Sequence, residues 1–148
     1  KQQAVCEYLE QVVTEIREAH PRATLYLECN ATYDGVINTD RTLSLALINI
    51  IENAIEVSPN FIKIDVSLNN NTIKISIIDK GPGLSKEAQD KIGNQPYSDK
   101  ELGLGLGLYL AHAAIHRRQV KISQTNYINQ GSITTIILPL SNQLLNTH

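Results

Sequence analysis

The stretch IKIDVSLNNNTIKISIID, residues 62–79, alternates apolar and polar side chains on both sides of a run of asparagines. This alternation predicts two strands, and the asparagine run predicts the turn between them. Each predicted strand has one apolar and one polar face, as in an antiparallel sheet that is covered on a single side. The stretch therefore predicts a β-hairpin at the centre of the fold.

Two helices are predicted between the N-terminus and this hairpin. Residues 3–19 carry apolar side chains at helical spacing, and Pro21 ends that helix because proline disfavours the helical conformation of the residue before it. The second helix begins after Thr39 or Asp40, either of which is a suitable N-cap, and runs to about Val57.

Three further strands and a third helix complete the pattern. Strands are predicted at residues 23–29, 120–125 and 132–138, and a helix at residues 107–117. Residues 85–102 are polar with few apolar anchors, which predicts a mobile loop. The order of these elements predicts an α/β two-layer sandwich with a mostly antiparallel sheet.

Composition narrows the class of protein. With 148 residues, of which 42% are hydrophobic and 19% charged, the chain is typical of one globular domain. A net charge of −2 without a basic cluster argues against a nucleic-acid partner, and no apolar run is long enough to cross a membrane. Cys6 and Cys29 match neither a metal spacing nor a disulfide framework, so we expect inert thiols in a reducing, cytoplasmic setting. The start at Lys1 and the lack of methionine predict a piece of a longer protein.

The second helix carries a polar stripe. Asn49, Glu52, Asn53 and Glu56 follow one another at helical spacing and share one face. A solvated face is the ordinary explanation of such a stripe, but asparagine is a weak helix former that competes for the backbone. Two asparagines one turn apart therefore indicate carboxamides directed at a ligand or a hard cation.

An acidic residue and two glycines follow the hairpin. Asp79 ends the predicted strand, and Gly81 and Gly83 come directly after it. A plain strand-to-loop turn also uses aspartate and glycine. A carboxylate at the end of a buried strand needs a hydrogen-bond donor, however, and the exocyclic amine of a nucleotide base would serve.

Three more glycines, Gly103, Gly105 and Gly107, lead into the predicted third helix. Their spacing matches neither a P-loop nor the dinucleotide fingerprint. Glycines at a helix N-terminus still allow an anion to approach the backbone amides, where the helix dipole favours negative charge. A phosphate chain is the expected ligand.

Taken in order, these motifs resemble the catalytic and ATP-binding domain of sensor histidine kinases, in the GHKL superfamily shared with gyrase, Hsp90 and MutL. NIIENA is similar to the N box, DKGPG to the G1 box, GLGLGL to the G2 box and QPYSDK to a reduced F box. The resemblance covers nearly the whole chain from about residue 20. The run IGNQPYSDK before GLGLGLYLA resembles the RegB/PrrB-type redox-responsive sensor kinases most.

The resemblance implies a fold and a domain organisation. The fold is the Bergerat fold, with a mixed, mostly antiparallel five-stranded sheet, about three helices on one face and a mobile ATP lid. Residues 1–20 would be a helix or linker from the dimerisation domain, residues 21–141 the ATP-binding catalytic domain, and residues 142–148 a frayed tail.

The resemblance also implies ATP and Mg²⁺ as cofactors and a role for each motif. Asn53 would bind the metal, and Asp79 would accept a hydrogen bond from the adenine amino group. Glu52, as a possible base, and Lys100, within reach of the β- or γ-phosphate, are the candidate catalytic residues. The implied nucleotide contacts are Asn49, Asn53, Glu56, Asp79, Gly81, Gly83, Tyr97, Gly103, Leu104, Gly105, Leu106 and Gly107.

The implied activity is transfer of the γ-phosphoryl group to a histidine on the dimerisation domain, for relay to a response regulator. The alternatives are an ATPase of the same superfamily and a non-catalytic nucleotide-sensing module. Hydrolysing relatives carry a glutamate four residues before the metal asparagine, whereas this chain has Asn49, which favours a kinase. Glu56 and Val57 depart from the basic residue and the tyrosine that many histidine kinases have at these places.

The implied partners are the chain's own dimerisation domain and a cognate response regulator, without nucleic acid or membrane contact by this domain. The full-length protein would be a homodimer and a membrane-anchored bacterial sensor kinase, with this domain in the cytoplasm. His112 and His116 are spaced as a zinc-binding pair but lack a third ligand, so we assign them no metal. His20 lacks the acidic neighbour of a phosphoacceptor histidine and is not assigned that role.

Overall fold

The computed structural model describes residues 1–29, 35–82, 119–126 and 131–141. Among the described elements, three short strands and two longer helices precede the hairpin, and only strands follow it. In chain order they are β1 (Gln2–Ala4), α1 (Val5–Ala19), β2 (Leu25–Glu28), β3 (Val36–Asn38), α2 (Arg41–Val57), β4 (Ile62–Asn69), β5 (Thr72–Asp79), β6 (Lys121–Asn126) and β7 (Ser132–Pro139).

The main sheet has five strands in the order β2-β4-β5-β7-β6. Strand β2 runs parallel to β4, and the other neighbouring pairs are antiparallel. This is the mixed, mostly antiparallel sheet that the sequence predicts.

The β4–β5 hairpin forms as its alternating pattern predicts. The strands pair from Ile62 opposite Asp79 to Asn69 opposite Thr72. The residues of one face, with Asp79 at the end of β5 among them, are buried apart from the exposed Leu68 near the turn, and those of the other face are half-buried or exposed. Asn70 takes a φ of 56° in the turn, a conformation that asparagine tolerates better than most residues.

Both described helices contribute to one hydrophobic core with the buried face of the sheet. A hydrogen bond of 2.8 Å joins the Tyr8 hydroxyl on α1 to the Ser44 hydroxyl on α2. Burial raises the pKa of Tyr8 to about 12, because the charged phenolate would lose its hydration. The predicted third helix, residues 107–117, lies outside the described residues.

Helix α2 begins and ends where the sequence predicts. The Asp40 side chain accepts a hydrogen bond from the Leu43 backbone N–H over 2.9 Å, as an N-cap does. The helix ends at Val57, and the N–H of Ser58 donates to the Ala54 carbonyl over 2.9 Å.

The first helix begins two residues later than predicted, since residues 2–4 form β1 rather than a helical turn. Strand β1 pairs with β3, residues 36–38, where the sequence predicts no element. Strands of three residues are too short to show an alternating pattern, and their pairing depends on contacts between distant parts of the chain.

The expectation of unpaired thiols is wrong. Cys6 in the first turn of α1 and Cys29 after β2 form a disulfide bond between Cα atoms 5.5 Å apart. They are separated by 23 positions in sequence, so their spacing gave no sign that the fold brings them together. In the described part of the chain, no helix is long and apolar enough to span a bilayer.

Candidate functional site

Asp79 lies at the end of β5 with both carboxylate oxygens engaged. Its Oδ1 accepts a hydrogen bond from the Gly81 backbone N–H over 2.9 Å, and its Oδ2 accepts one from the Ser132 hydroxyl over 2.8 Å. The residue is only 6% exposed. Each carboxylate oxygen can accept a second hydrogen bond, so Asp79 remains able to bind an amino group of a ligand.

Two residues that were not predicted as site residues face Asp79, Gly131 directly before β7 and Ser132 as its first residue. Gly131 has a φ of +95°, and a Cβ built on it would lie 1.9 Å from the Asp79 carbonyl oxygen. Only glycine fits there, because a side chain would meet backbone that cannot move aside. Ser132 follows and pairs with Asp79 across the ladder. The glycine–serine dipeptide at the start of the last strand is a local signal of this contact.

The C-terminal end of α2 lies against the turn that follows Asp79. A Cβ on Gly81 would come within 2.7 Å of the Val57 Cγ2 atom, so Val57 fills the space beside this glycine. The Ser58 hydroxyl accepts a hydrogen bond from the Lys80 backbone N–H over 3.0 Å. Asn53 lies one helical turn before Val57, so the predicted metal residue and the predicted base-binding residue belong to one region of the molecule.

The polar stripe of α2 lies outside the core, as predicted. Asn49 and Glu52 are half-buried, whereas Asn53 and Glu56 are exposed. In the described part of the chain, the Asn53 carboxamide makes no hydrogen bond to another residue. The exposed Asn53 carboxamide oxygen suits Mg²⁺, which prefers oxygen ligands and usually takes one or two from protein.

Glu52 is not a free carboxylate. Its Oε2 atom lies 2.7 Å from the His20 Nε2 atom, and the pair joins the end of α1 to α2. Both side chains are partly exposed, at 34% for the histidine and 42% for the glutamate. The sequence did not predict this contact, because a contact between residues 32 positions apart leaves no local pattern.

The remaining predicted site residues lie outside the described residues. They are Gly83, Tyr97, Lys100, Gly103, Leu104, Gly105, Leu106 and Gly107. The predicted loop at 85–102 and the unassigned pair His112 and His116 also lie outside the described residues. The described part of the candidate site therefore consists of the stripe on α2 and the Asp79–Gly81 turn with its partners Gly131 and Ser132.

Comparison with known proteins identifies the class. Residues 38–142 match the family described as histidine kinase-, DNA gyrase B-, and HSP90-like ATPases, and the chain belongs to this family. Within it the chain is a catalytic and ATP-binding domain of the histidine-kinase type, with the Bergerat fold. The resemblance to the RegB/PrrB-type kinases stays a prediction.

Individual relatives agree with this class. The chain is 35% identical to sporulation kinase B of Bacillus subtilis over 117 residues, which cover 76% of the chain and 27% of that kinase. The catalytic domain of the histidine kinase ThkA superposes with a TM-score of 0.70 at 23% identity, over 94% of both chains. A structure of ThkA in complex with the response regulator protein TrrA gives a TM-score of 0.73 at 22% identity, over 95% of this chain and 42% of that one. The chain thus spans about a quarter of the length of sporulation kinase B.

Proposed function

We propose that this chain binds Mg·ATP and supplies the γ-phosphoryl group to a histidine on a dimerisation domain outside these residues. The observation that supports this most is the buried carboxylate of Asp79, fixed by the Gly81 amide and the Ser132 hydroxyl. A carboxylate held in this way can accept a hydrogen bond from the 6-amino group of adenine. Guanine has a carbonyl oxygen at that position, which would face a second acceptor in a desolvated site.

In this proposal, the polar stripe on α2 supplies the metal-binding residue. The exposed Asn53 carboxamide would hold Mg²⁺, with Asn49 one turn away. When bound, the metal neutralises charge on the phosphates, which is the main chemical requirement of phosphoryl transfer. The contribution of the protein is then to position the nucleotide through Asp79 and Asn53.

Two features favour a kinase over an ATPase. A carboxamide at position 49 cannot take a proton from water, whereas a glutamate could. The Glu52 carboxylate is engaged by His20 over 2.7 Å, which directs it towards α1. The attacking group of a histidine kinase lies on another domain, so this chain needs no base of its own.

The proposal extends to partners and cellular setting. The TrrA complex of ThkA supports a response regulator as the eventual recipient of the phosphoryl group. We further propose that the full-length protein is a homodimeric, membrane-anchored sensor kinase that holds this domain in the cytoplasm. The N-terminal helix would lead to the dimerisation domain.

Calorimetry with Mg·ATP and Mg·GTP tests the nucleotide site. We expect ATP to bind at least about tenfold more tightly than GTP, because an unpaired buried acceptor is costly. Asn53→Ala should lose most Mg·ATP binding with the fold intact, and Asp79→Asn should weaken ATP and narrow the gap to GTP. Asn71→Ala is the matched control, since this exposed asparagine lies in the hairpin turn at the other end of β5. Equal affinity for both nucleotides would exclude Asp79 as the base-reading residue.

Phosphotransfer is tested separately, by mixing the chain with its own dimerisation domain and γ-labelled ATP in Mg²⁺. Acid-labile label on the dimerisation domain is the expected result, because phosphohistidine is acid-labile. Tight ATP binding without any transfer would favour the nucleotide-sensing module instead.

A further inference from the structure

Ser58 makes more hydrogen bonds than the end of a helix requires. It is the C-cap residue of α2 and is only 7% exposed. Its backbone N–H ends the helix by donating to Ala54, while its hydroxyl donates to the Phe61 carbonyl over 2.6 Å and accepts from the Lys80 N–H over 3.0 Å. A hydroxyl can do both at once because it has one donor and two acceptor lone pairs.

The Lys80 N–H belongs to the same peptide unit as the Asp79 carbonyl. Gly131 packs against that carbonyl so closely that a Cβ would lie 1.9 Å from its oxygen. One peptide unit is therefore held from both sides, at its amide by Ser58 and at its carbonyl by Gly131. A rotation of this peptide would break the first contact and press on the second.

This peptide unit controls the direction of the Asp79 side chain. It joins the Asp79 Cα atom to the Lys80 Cα atom, and the next peptide unit carries the Gly81 amide, which donates to Asp79 Oδ1 over 2.9 Å. A change in the torsion angles beside this peptide unit reorients the next one and its Gly81 amide, so the hydrogen bond that orients the Asp79 carboxylate is weakened or redirected. Ser58 thus acts on the carboxylate through the backbone, from a helix that also carries Asn53.

We propose that Ser58 is a positioning residue for base recognition, whose hydroxyl sets how strongly Asp79 discriminates adenine from guanine. The inference rests on the proposed function, because it takes Asp79 to be the base-reading residue. It adds a specific coupling, in which the C-cap of the helix with the metal-binding stripe fixes the turn that contacts the base.

The test measures ATP and GTP affinities of Ser58→Ala, Ser58→Thr and Ser58→Val by calorimetry, below the unfolding transition of each variant. Loss of the hydroxyl removes the acceptor of the Lys80 amide from this part-buried hydrogen bond, so we expect Ser58→Ala to weaken ATP binding about three- to tenfold and GTP binding less. Threonine and valine have nearly the same shape, so the Thr variant should keep the ATP preference and the Val variant should lose it.

Ser44→Ala is the matched control. The Ser44 hydroxyl, on the same helix, is hydrogen-bonded to the Tyr8 hydroxyl over 2.8 Å, away from Asp79. The Ser44→Ala variant should lose stability without a change in the ratio of ATP to GTP affinity. A Ser58→Ala or Ser58→Val variant that loses stability but keeps the wild-type ratio would overturn the proposal. So would a Lys80 amide that exchanges with deuterium as fast as an exposed amide in the wild-type protein. If the wild-type chain binds ATP no more tightly than GTP, the proposed function itself is wrong. If the wild-type chain prefers ATP and Ser58→Ala keeps that preference, only the role of Ser58 is wrong.

Discussion

The Ser132 hydroxyl donates to Asp79 Oδ2 over 2.8 Å, from a residue that pairs with Asp79 at the last position of the β5–β7 ladder. Both residues are nearly inaccessible to water, with exposures of 4% and 6%. The hydroxyl is therefore the donor that replaces water for this oxygen, and the strand register brings the two groups together.

Ser132→Ala should lower the free energy of unfolding by about 1–3 kcal/mol, because Asp79 Oδ2 is left buried without a donor. It should also weaken ATP binding, since the carboxylate can then turn away from the base. Urea denaturation and calorimetry measure the two effects. Ser132→Thr keeps the hydroxyl and serves as the control, and equal losses in both variants would show that the hydrogen bond is unimportant.

Gly131→Ala should lower the free energy of unfolding more than Ser132→Ala does. The φ of +95° disfavours any side chain, and the new Cβ would overlap the Asp79 carbonyl, so we expect a loss of roughly 2–4 kcal/mol in the free energy of unfolding. Gly35→Ala is the matched control, because its Cβ would meet the end of the flexible Ile73 side chain at 2.7 Å. Urea denaturation measures the free energy of unfolding of both variants. An equal loss in the two would show that the contact of Gly131 with the Asp79 carbonyl carries no special cost.

The isolated chain should release phosphate from ATP at a negligible rate, and Glu52→Gln should not change that rate. The physical reason is that Asn49 is no base and that Glu52 is engaged by His20 over 2.7 Å. A coupled assay for phosphate release measures this. Rapid release that Glu52→Gln abolishes would support the ATPase alternative.

Reduction of the Cys6–Cys29 disulfide should destabilise the domain. Closing a loop between residues 23 positions apart stabilises by roughly 3 kcal/mol through the unfolded chain, or about 6–12 °C in Tm for a domain of this size. Thermal unfolding with and without a reducing agent measures the shift. The double variant Cys6→Ser with Cys29→Ser should melt at the lower temperature in both conditions, and a wild-type Tm unaffected by reduction would disprove the role of the disulfide.

Alkaline pH should lower the free energy of unfolding, because the buried Tyr8 hydroxyl must then ionise. Its pKa is raised from 10.0 to about 12 in the folded state, so the folded protein holds the proton more tightly than the unfolded chain. The resulting stabilisation is complete below about pH 10 and is lost as the pH rises through about 12, amounting to about 2–3 kcal/mol. Urea denaturation from pH 8 to pH 12 measures it. The other tyrosines titrate too, so the comparison is with Tyr8→Phe, whose stability should fall less over this range.

Local patterns predicted the elements that are long or capped. The β4–β5 hairpin alternates over its whole length, and α2 has an N-cap at Asp40, so neighbouring residues alone define them. Asp79 was predicted as a site residue because a carboxylate at the end of a buried strand needs a hydrogen-bond donor, and the stripe on α2 because asparagine is a weak helix former.

Contacts between distant residues could not be predicted in the same way. Ser132 and Asp79 are 53 positions apart, His20 and Glu52 are 32 apart, and each pair meets only once the sheet and helices have packed. The β1–β3 pair was missed for the same reason, since three residues carry no period and their partner strand is remote in sequence.

The close approach of Gly131 to the Asp79 carbonyl has an evolutionary consequence. The contact is with main chain, so it is the same whatever side chain occupies position 79. A lineage that abandoned adenine recognition by replacing Asp79 would remove the selection on Ser132, yet position 131 would remain restricted to glycine. Divergent descendants of this domain should therefore preserve the glycine long after the serine beside it has drifted.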